Sequence, residues 1–88
     1  MAWRVEFTPE AEKQLAKLDK QSAKRITKFL KERVASLNDP GSLGDPLKGR
    51  LREFWRYRVG DYRILCRIEE RRLLVLVVKI GHRRDVYR

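Results

Sequence analysis

Residues 54–78 read Phe54-Trp-Arg-Tyr-Arg-Val-Gly-Asp-Tyr-Arg-Ile-Leu-Cys-Arg-Ile-Glu-Glu-Arg-Arg-Leu-Leu-Val-Leu-Val-Val78. The pattern predicts three strands, Phe54–Val59, Tyr62–Ile68 and Leu73–Ile80. Gly60-Asp61 forms a tight turn between the first two, and Glu69-Glu70-Arg71 forms the next. Leu73–Val78 is apolar at every position, which predicts a central strand buried on both faces. On the first strand Trp55, Tyr57 and Val59 face one way while Arg56 and Arg58 face the other, because side chains alternate across a sheet. On the second, Ile64, Cys66 and Ile68 oppose Arg63, Leu65 and Arg67. The hairpin therefore stacks Arg56, Arg58, Arg63 and Arg67 on one face, with no acidic residue interleaved on these two strands. Like charges placed opposite each other on a sheet are destabilising, so such a face fits a polyanion that neutralises it.

Outward from the hairpin, the N-terminal half is helical. Trp3-Arg-Val-Glu-Phe7 alternates as a short strand. Thr8 suits the cap of a helix with Pro9 in its first turn, and Glu10 and Glu12 complement the helix dipole. Leu15 and Leu18 mark its inner face, and Asp19 interrupts it. A second helix is predicted from Gln21 to Leu37, with Ile26, Phe29, Leu30, Val34 and Leu37 at three- and four-residue spacing. Lys24, Arg25, Lys28, Lys31 and Glu32 lie on its outer face. Asn38-Asp39-Pro40-Gly41 stops it, residues 41–52 connect to the hairpin, and Gly81–Arg88 forms an irregular polar tail. The expected fold is α+β, a single domain over 1–88 in the order β-α-α-β-β-β. It has a mostly antiparallel four-stranded sheet with two helices packed on one face.

Twenty-two Lys and Arg oppose twelve Asp and Glu in 88 residues, a net charge of +10. The excess is lopsided: residues 1–47 hold nine basic and seven acidic side chains, residues 48–88 thirteen and five, and eleven of those thirteen are Arg. Arginine's planar fork pairs bidentately with phosphate and stacks on bases, which points to nucleic acid as the partner of the second half. One Cys and one His cannot assemble a structural zinc site or an intramolecular disulfide. The N-terminus lacks a signal-peptide pattern, and the longest apolar run is too short to span a bilayer. A cytoplasmic protein without a membrane role is expected.

Acid-base chemistry is sparsely provided for. His82 is the sole His, so a two-histidine ribonuclease is excluded. No carboxylate cluster for Mg²⁺ marks the basic half, which disfavours two-metal chemistry, and no cofactor is implied. Cys66 and Trp55 read as core residues. Arg, Lys48, Lys79, Tyr57, Tyr62 and Tyr87 remain. Such a set suits RNA cleavage in which the substrate's own 2′-hydroxyl attacks the neighbouring phosphate and the protein supplies charge and geometry.

Phe54-Trp-Arg-Tyr-Arg-Val-Gly-Asp-Tyr-Arg-Ile-Leu65 and Gly81-His-Arg-Arg-Asp-Val-Tyr87 resemble the RelE branch of the RelE/ParE toxin superfamily. Thr8-Pro9-Glu10-Ala11 and Pro46-Leu47-Lys48-Gly49 fit the same family, so the likeness covers essentially the whole chain. It implies a toxin that cuts mRNA in the ribosomal A site without metal, leaving a 2′,3′-cyclic phosphate. It also implies an acidic RelB-like antitoxin as partner, and contact with operator DNA only through that antitoxin. By position, the likeness assigns catalytic roles to Arg56, Arg58, Arg63, Arg83 and Tyr87. Arg63 stabilises phosphate charge, Arg83 is a phosphate ligand and candidate acid, and Tyr87 stacks on or orients the cleaved nucleotide. Lys48, Arg67, His82 and Arg84 are candidates for substrate binding. The chain departs from well-studied relatives in carrying Arg56 and Arg58 where they carry Lys. Arg cannot be deprotonated, so Tyr87, His82 or a water stands as the alternative base. Two other functions are open to the same residues: a ParE-like binder of DNA gyrase, and a non-catalytic nucleic-acid-binding module.

Overall fold

A computed structural model describes residues 3–36, 40–49 and 53–84. The first strand, β1, spans Arg4–Phe7, and the helices follow as α1, Pro9–Ala16, and α2, Lys20–Lys28. Both helices begin as their sequences dictate. Thr8 Oγ1 accepts the Ala11 N–H at 3.1 Å with Pro9 in the first turn, and Asp19 Oδ2 accepts the Ser22 N–H at 3.0 Å. Asp19 thus ends one helix by capping the next.

The second helix differs from expectation at its end. From Phe29 to Val34 it widens into a π-helix, with the Ala35 N–H donating to Leu30 O at 3.0 Å. The predicted terminus at Leu37 lies outside the described residues. Beyond it a 3₁₀ turn, Pro40–Leu43, leads to β2, a two-residue strand at Asp45–Pro46 inside the expected loop. The remaining strands are β3, Phe54–Val59; β4, Tyr62–Glu69; and β5, Leu74–His82. A positive φ of 59° falls on Gly60, the position at which a two-residue hairpin of the II′ kind takes glycine.

The sheet has five strands rather than four, in the order β1-β5-β4-β3-β2. The fifth is β2, too short to show alternation in sequence. β1 runs parallel to β5 and every other pairing is antiparallel. β4 is therefore the middle strand, and the apolar strand β5 is interior between β4 and β1. Leu73 stands before it in a left-handed conformation (φ 48°) that closes a 3₁₀ turn at Glu70–Arg72, while Gly81 and His82 belong to the strand rather than the tail.

The core forms where the helices meet one sheet face. Ala11, Ile26, Leu30 and Val34 pack with Tyr57, Val59, Ile64, Cys66, Val75, Val77 and Ile80, flanked by Leu15, Leu18 and Phe29. Burial pushes the Cys66 thiol well above its ordinary pKa, so it is an inert core residue. Trp55 is half-buried on this side of β3 and lies outside the central cluster. No described helix is long and apolar enough to cross a membrane.

Candidate active site on the open face of the sheet

The register fixes the open face. Arg56 pairs with Leu65, Arg58 with Arg63 and Phe54 with Arg67 across β3 and β4, while Leu65 faces Lys79 and Arg63 faces Gly81 on β5. Tyr57 pairs with Ile64 in the core row, so its neighbours Arg56 and Arg58 point away from the helices. Arg56, Arg58, Arg63, Arg67 and Lys79 thus share the face away from the helices. Leu65 is buried within this row. Its cross-strand neighbours Arg56 and Lys79 have long aliphatic stems of the kind that cover apolar surface.

The direct Arg58–Arg63 pair is relieved by divergence. Arg63 Nη1 folds back over the hairpin turn and donates to Gly60 O and Tyr62 O, both at 3.0 Å. Arg58 Nε leans the other way, 3.8 Å from Asp45 Oδ2, which also accepts from Arg56 Nη2 at 3.1 Å. The face is therefore not free of acid: β2 places Asp45 opposite Arg56. Sequence alternation on the two hairpin strands gave no sign of this, because the acid comes from a third strand. Arg56 is largely covered, with its side chain 23% exposed, while Arg58 remains open at 61%.

The end of β5 is tied to the same turn. The Arg83 N–H donates to Asp61 O at 2.8 Å, which brings Arg83, on an exposed turn, beside the hairpin that carries Arg63. His82 is separated from the Arg row. It pairs with Tyr62 at the helix-facing register, its ring edge-on to Tyr62 at 6.3 Å, and its Nδ1 accepts the Arg84 N–H at 3.3 Å. Arg84, Arg67 and Lys48 are exposed. Arg67 is on the open face, two residues along β4 from Leu65, and Lys48 follows β2. Tyr87 lies outside the described residues. Among the described residues no three His, Cys, Asp or Glu side chains converge as a metal cage. One guanidinium, that of Arg63, is held over the turn to which the Arg83 backbone is tied, and guanidinium donors beside such a turn can bind and polarise a phosphodiester.

Residues 5–87 match the family described as ParE toxin of type II toxin-antitoxin system, parDE. Toxin RelG of Mycobacterium tuberculosis (strain ATCC 25618 / H37Rv) is 31% identical over 88 residues, covering 100% of this chain and 99% of that protein. The toxin-antitoxin complex RelBE2 of Mycobacterium tuberculosis contains a chain that superposes with a TM-score of 0.86 at 28% identity, over 97% of this chain and 95% of that one. The isolated E. coli RelE toxin shares the fold, with a TM-score of 0.73 at 22% identity over 98% of this chain and 92% of that one. The chain belongs to the RelE/ParE superfamily of toxins from type II toxin-antitoxin systems.

Proposed function

We propose that this toxin is an endoribonuclease that cuts mRNA in the ribosomal A site and is silenced in the cytoplasm by an acidic RelB-like antitoxin. The observation that carries the reading is Arg63, clamped to two carbonyls of the hairpin turn, with Arg83 tethered to the same turn. In the reaction the 2′-hydroxyl oxygen attacks the adjacent phosphorus and the 5′-oxygen leaves with a proton. The products are a 2′,3′-cyclic phosphate and a 5′-hydroxyl. Negative charge grows on the non-bridging oxygens in the transition state, where pre-placed guanidinium donors act without reorganising. Arg63 and Arg83 hold that charge, and Arg56, Arg58 and Arg67 hold the strand. His82 is poorly placed as base, because the Arg84 N–H already engages its Nδ1 lone pair. Tyr87 or a water takes the 2′-proton.

Arg63→Ala and Arg83→Ala should each lower the single-turnover rate on programmed ribosomes by about a hundredfold or more, the usual loss for one transition-state donor. Tyr87→Phe keeps the ring and removes the hydroxyl. A small effect assigns stacking, and a large one assigns proton handling. Ribosomes themselves need Mg²⁺, so the role of metal is read from the product ends: a 2′,3′-cyclic phosphate is expected. Cleavage at near-normal rates in Arg83→Ala, with stability unchanged, sinks the mechanism.

The ParE description of the matching family favours a second reading, inhibition of DNA gyrase without nuclease activity. Induced expression followed by translation and supercoiling assays separates the two. Arrested supercoiling with intact mRNA would decide for gyrase.

For the partner, solved structures of RelE–RelB pairs, among them the complex from Pyrococcus horikoshii OT3, support the antitoxin assignment. The net charge of +10 supplies its physical basis, because an acidic chain relieves the toxin's self-repulsion.

A further inference from the structure

β2 pairs with β3 at Trp55 and Arg56, and among the described residues no strand pairs with the outer edge of β3 at Arg58 and Val59. At that edge a cleft of about 370 Å³ opens between α2 with its π-helical extension and the strand end. Four cations line it, Arg25, Lys28, Arg33 and Arg58, against the single carboxylate of Glu32. Among the described residues Arg25, Lys28 and Arg33 form no ion pair. Arg33 lies instead over the Phe29 ring, 5.8 Å from its centroid. The Arg25 guanidinium rests against Gly60, where an added Cβ would stand 3.1 Å from Nη1. Four cations lining one cleft outnumber the Glu32 carboxylate there and the Asp45 carboxylate beside Arg58, so they repel one another, and an anion in the cleft lowers that cost.

Two further observations bear on the ligand. The π-helix begins at Phe29, the residue in the cleft that Arg33 covers, and such widened turns occur frequently at functional sites. Arg58 belongs both to the open-face row and to the cleft, so a polyanion that reaches Arg58 along the open face meets the cleft at the same residue.

We propose that this cleft is a phosphate-binding subsite for the RNA strand lying across the open face, holding backbone phosphate outside the scissile step. The proposal rests on the ribonuclease reading and names a subsite distinct from that of the reacting phosphate. Continuity through Arg58 favours RNA over an acidic protein segment as the occupant.

The test uses full-length Arg63→Ala toxin as the parent, because on this reading its cleavage is slowed about a hundredfold or more. Binding of a three-nucleotide and a ten-nucleotide RNA is measured over a KCl series. Lys28→Gln and Arg33→Gln together should weaken binding of the longer RNA about tenfold at low salt. They should also flatten its salt slope by roughly 0.7 for each phosphate the cleft no longer neutralises. The shorter RNA should bind as before, and Lys28→Arg should keep the parent's slope. In the cleaving toxin the same pair should raise KM and leave kcat unchanged.

Should Arg33→Gln lower the thermal midpoint, Lys28→Gln alone carries the test, because Lys28 is exposed. Unchanged binding of the longer RNA, or equal losses on both RNAs, overturns the subsite. Weakened antitoxin binding with RNA binding intact also overturns it, in favour of an acidic protein segment. If the unsubstituted toxin leaves ribosomal mRNA whole while the slope still depends on Lys28, the ribonuclease reading fails and the subsite stands.

Discussion

The carboxylate of Asp45 lies 3.1 Å from Arg56 Nη2 and 3.8 Å from Arg58 Nε, so two cations of the open face are partly neutralised before any RNA arrives. A phosphate entering there competes with that carboxylate. Asp45→Asn removes the competing charge and keeps the shape, so RNA affinity should rise roughly two- to five-fold, the worth of an exposed ion pair. The change should be largest at low salt, and a fall in affinity would reverse the assignment. The arginine row itself was legible, because period-two alternation and a two-residue turn together leave one possible face for Arg56, Arg58 and Arg63. Asp45 was not legible, since a strand of two residues has no period and its partner is fixed only by the fold. His82 reads as a candidate by type, yet its register opposite Tyr62 follows from the irregularity between Leu65 and Cys66 along β4, which sequence does not mark.

Among the elements, β2 is the one that brings this acid into the site, and its approach depends on Gly44. A Cβ there would meet Tyr57 Cε1 at 3.0 Å and Arg56 O at 3.1 Å. Tyr57 cannot yield, being fully buried with its hydroxyl donating to Pro40 O at 2.7 Å. Gly44→Ala should therefore cost about 1–3 kcal/mol through overpacking, read as a lower denaturant midpoint. The helix starts were legible from Thr8-Pro9 and Asp19, because capping is local chemistry.

The Asp19 cap also carries a pH dependence. Its hydrogen bonds to Ser22 hold the carboxyl below its ordinary value of 3.8. The stability it contributes is present above that value and is lost as pH falls through the lowered one. Asp19→Asn should keep the cap and flatten that part of the acid-unfolding curve. A curve identical to that of the unsubstituted protein would remove Asp19 from the account. The π-helix was hidden, because apolar residues at spacings of three and four read as an ordinary α-helix. Its trace is the strict four-residue step of the buried Ile26, Leu30 and Val34, which sits between the 3.6 residues of an α-turn and a wider one.

Taken whole, the molecule is a small sheet carrying a large positive charge, and its self-repulsion is relieved by any acidic partner. Antitoxin binding to the folded state should raise the thermal midpoint in a concentration-dependent way. A midpoint indifferent to an excess of antitoxin would deny the partner a role in stability. The order of the strands also bears on how the sheet is completed. The parallel pairing joins Arg4–Phe7, at the start of the chain, to Leu74–Val77 near its end. The hairpins β3–β4–β5 close local loops, whereas this pairing closes the longest one and carries the largest entropic cost. β1 is made before the strand it pairs with and waits for that partner until β5 has been joined. A growing chain thus carries its cationic hairpin on an unfinished sheet for as long as β5 is still to be made.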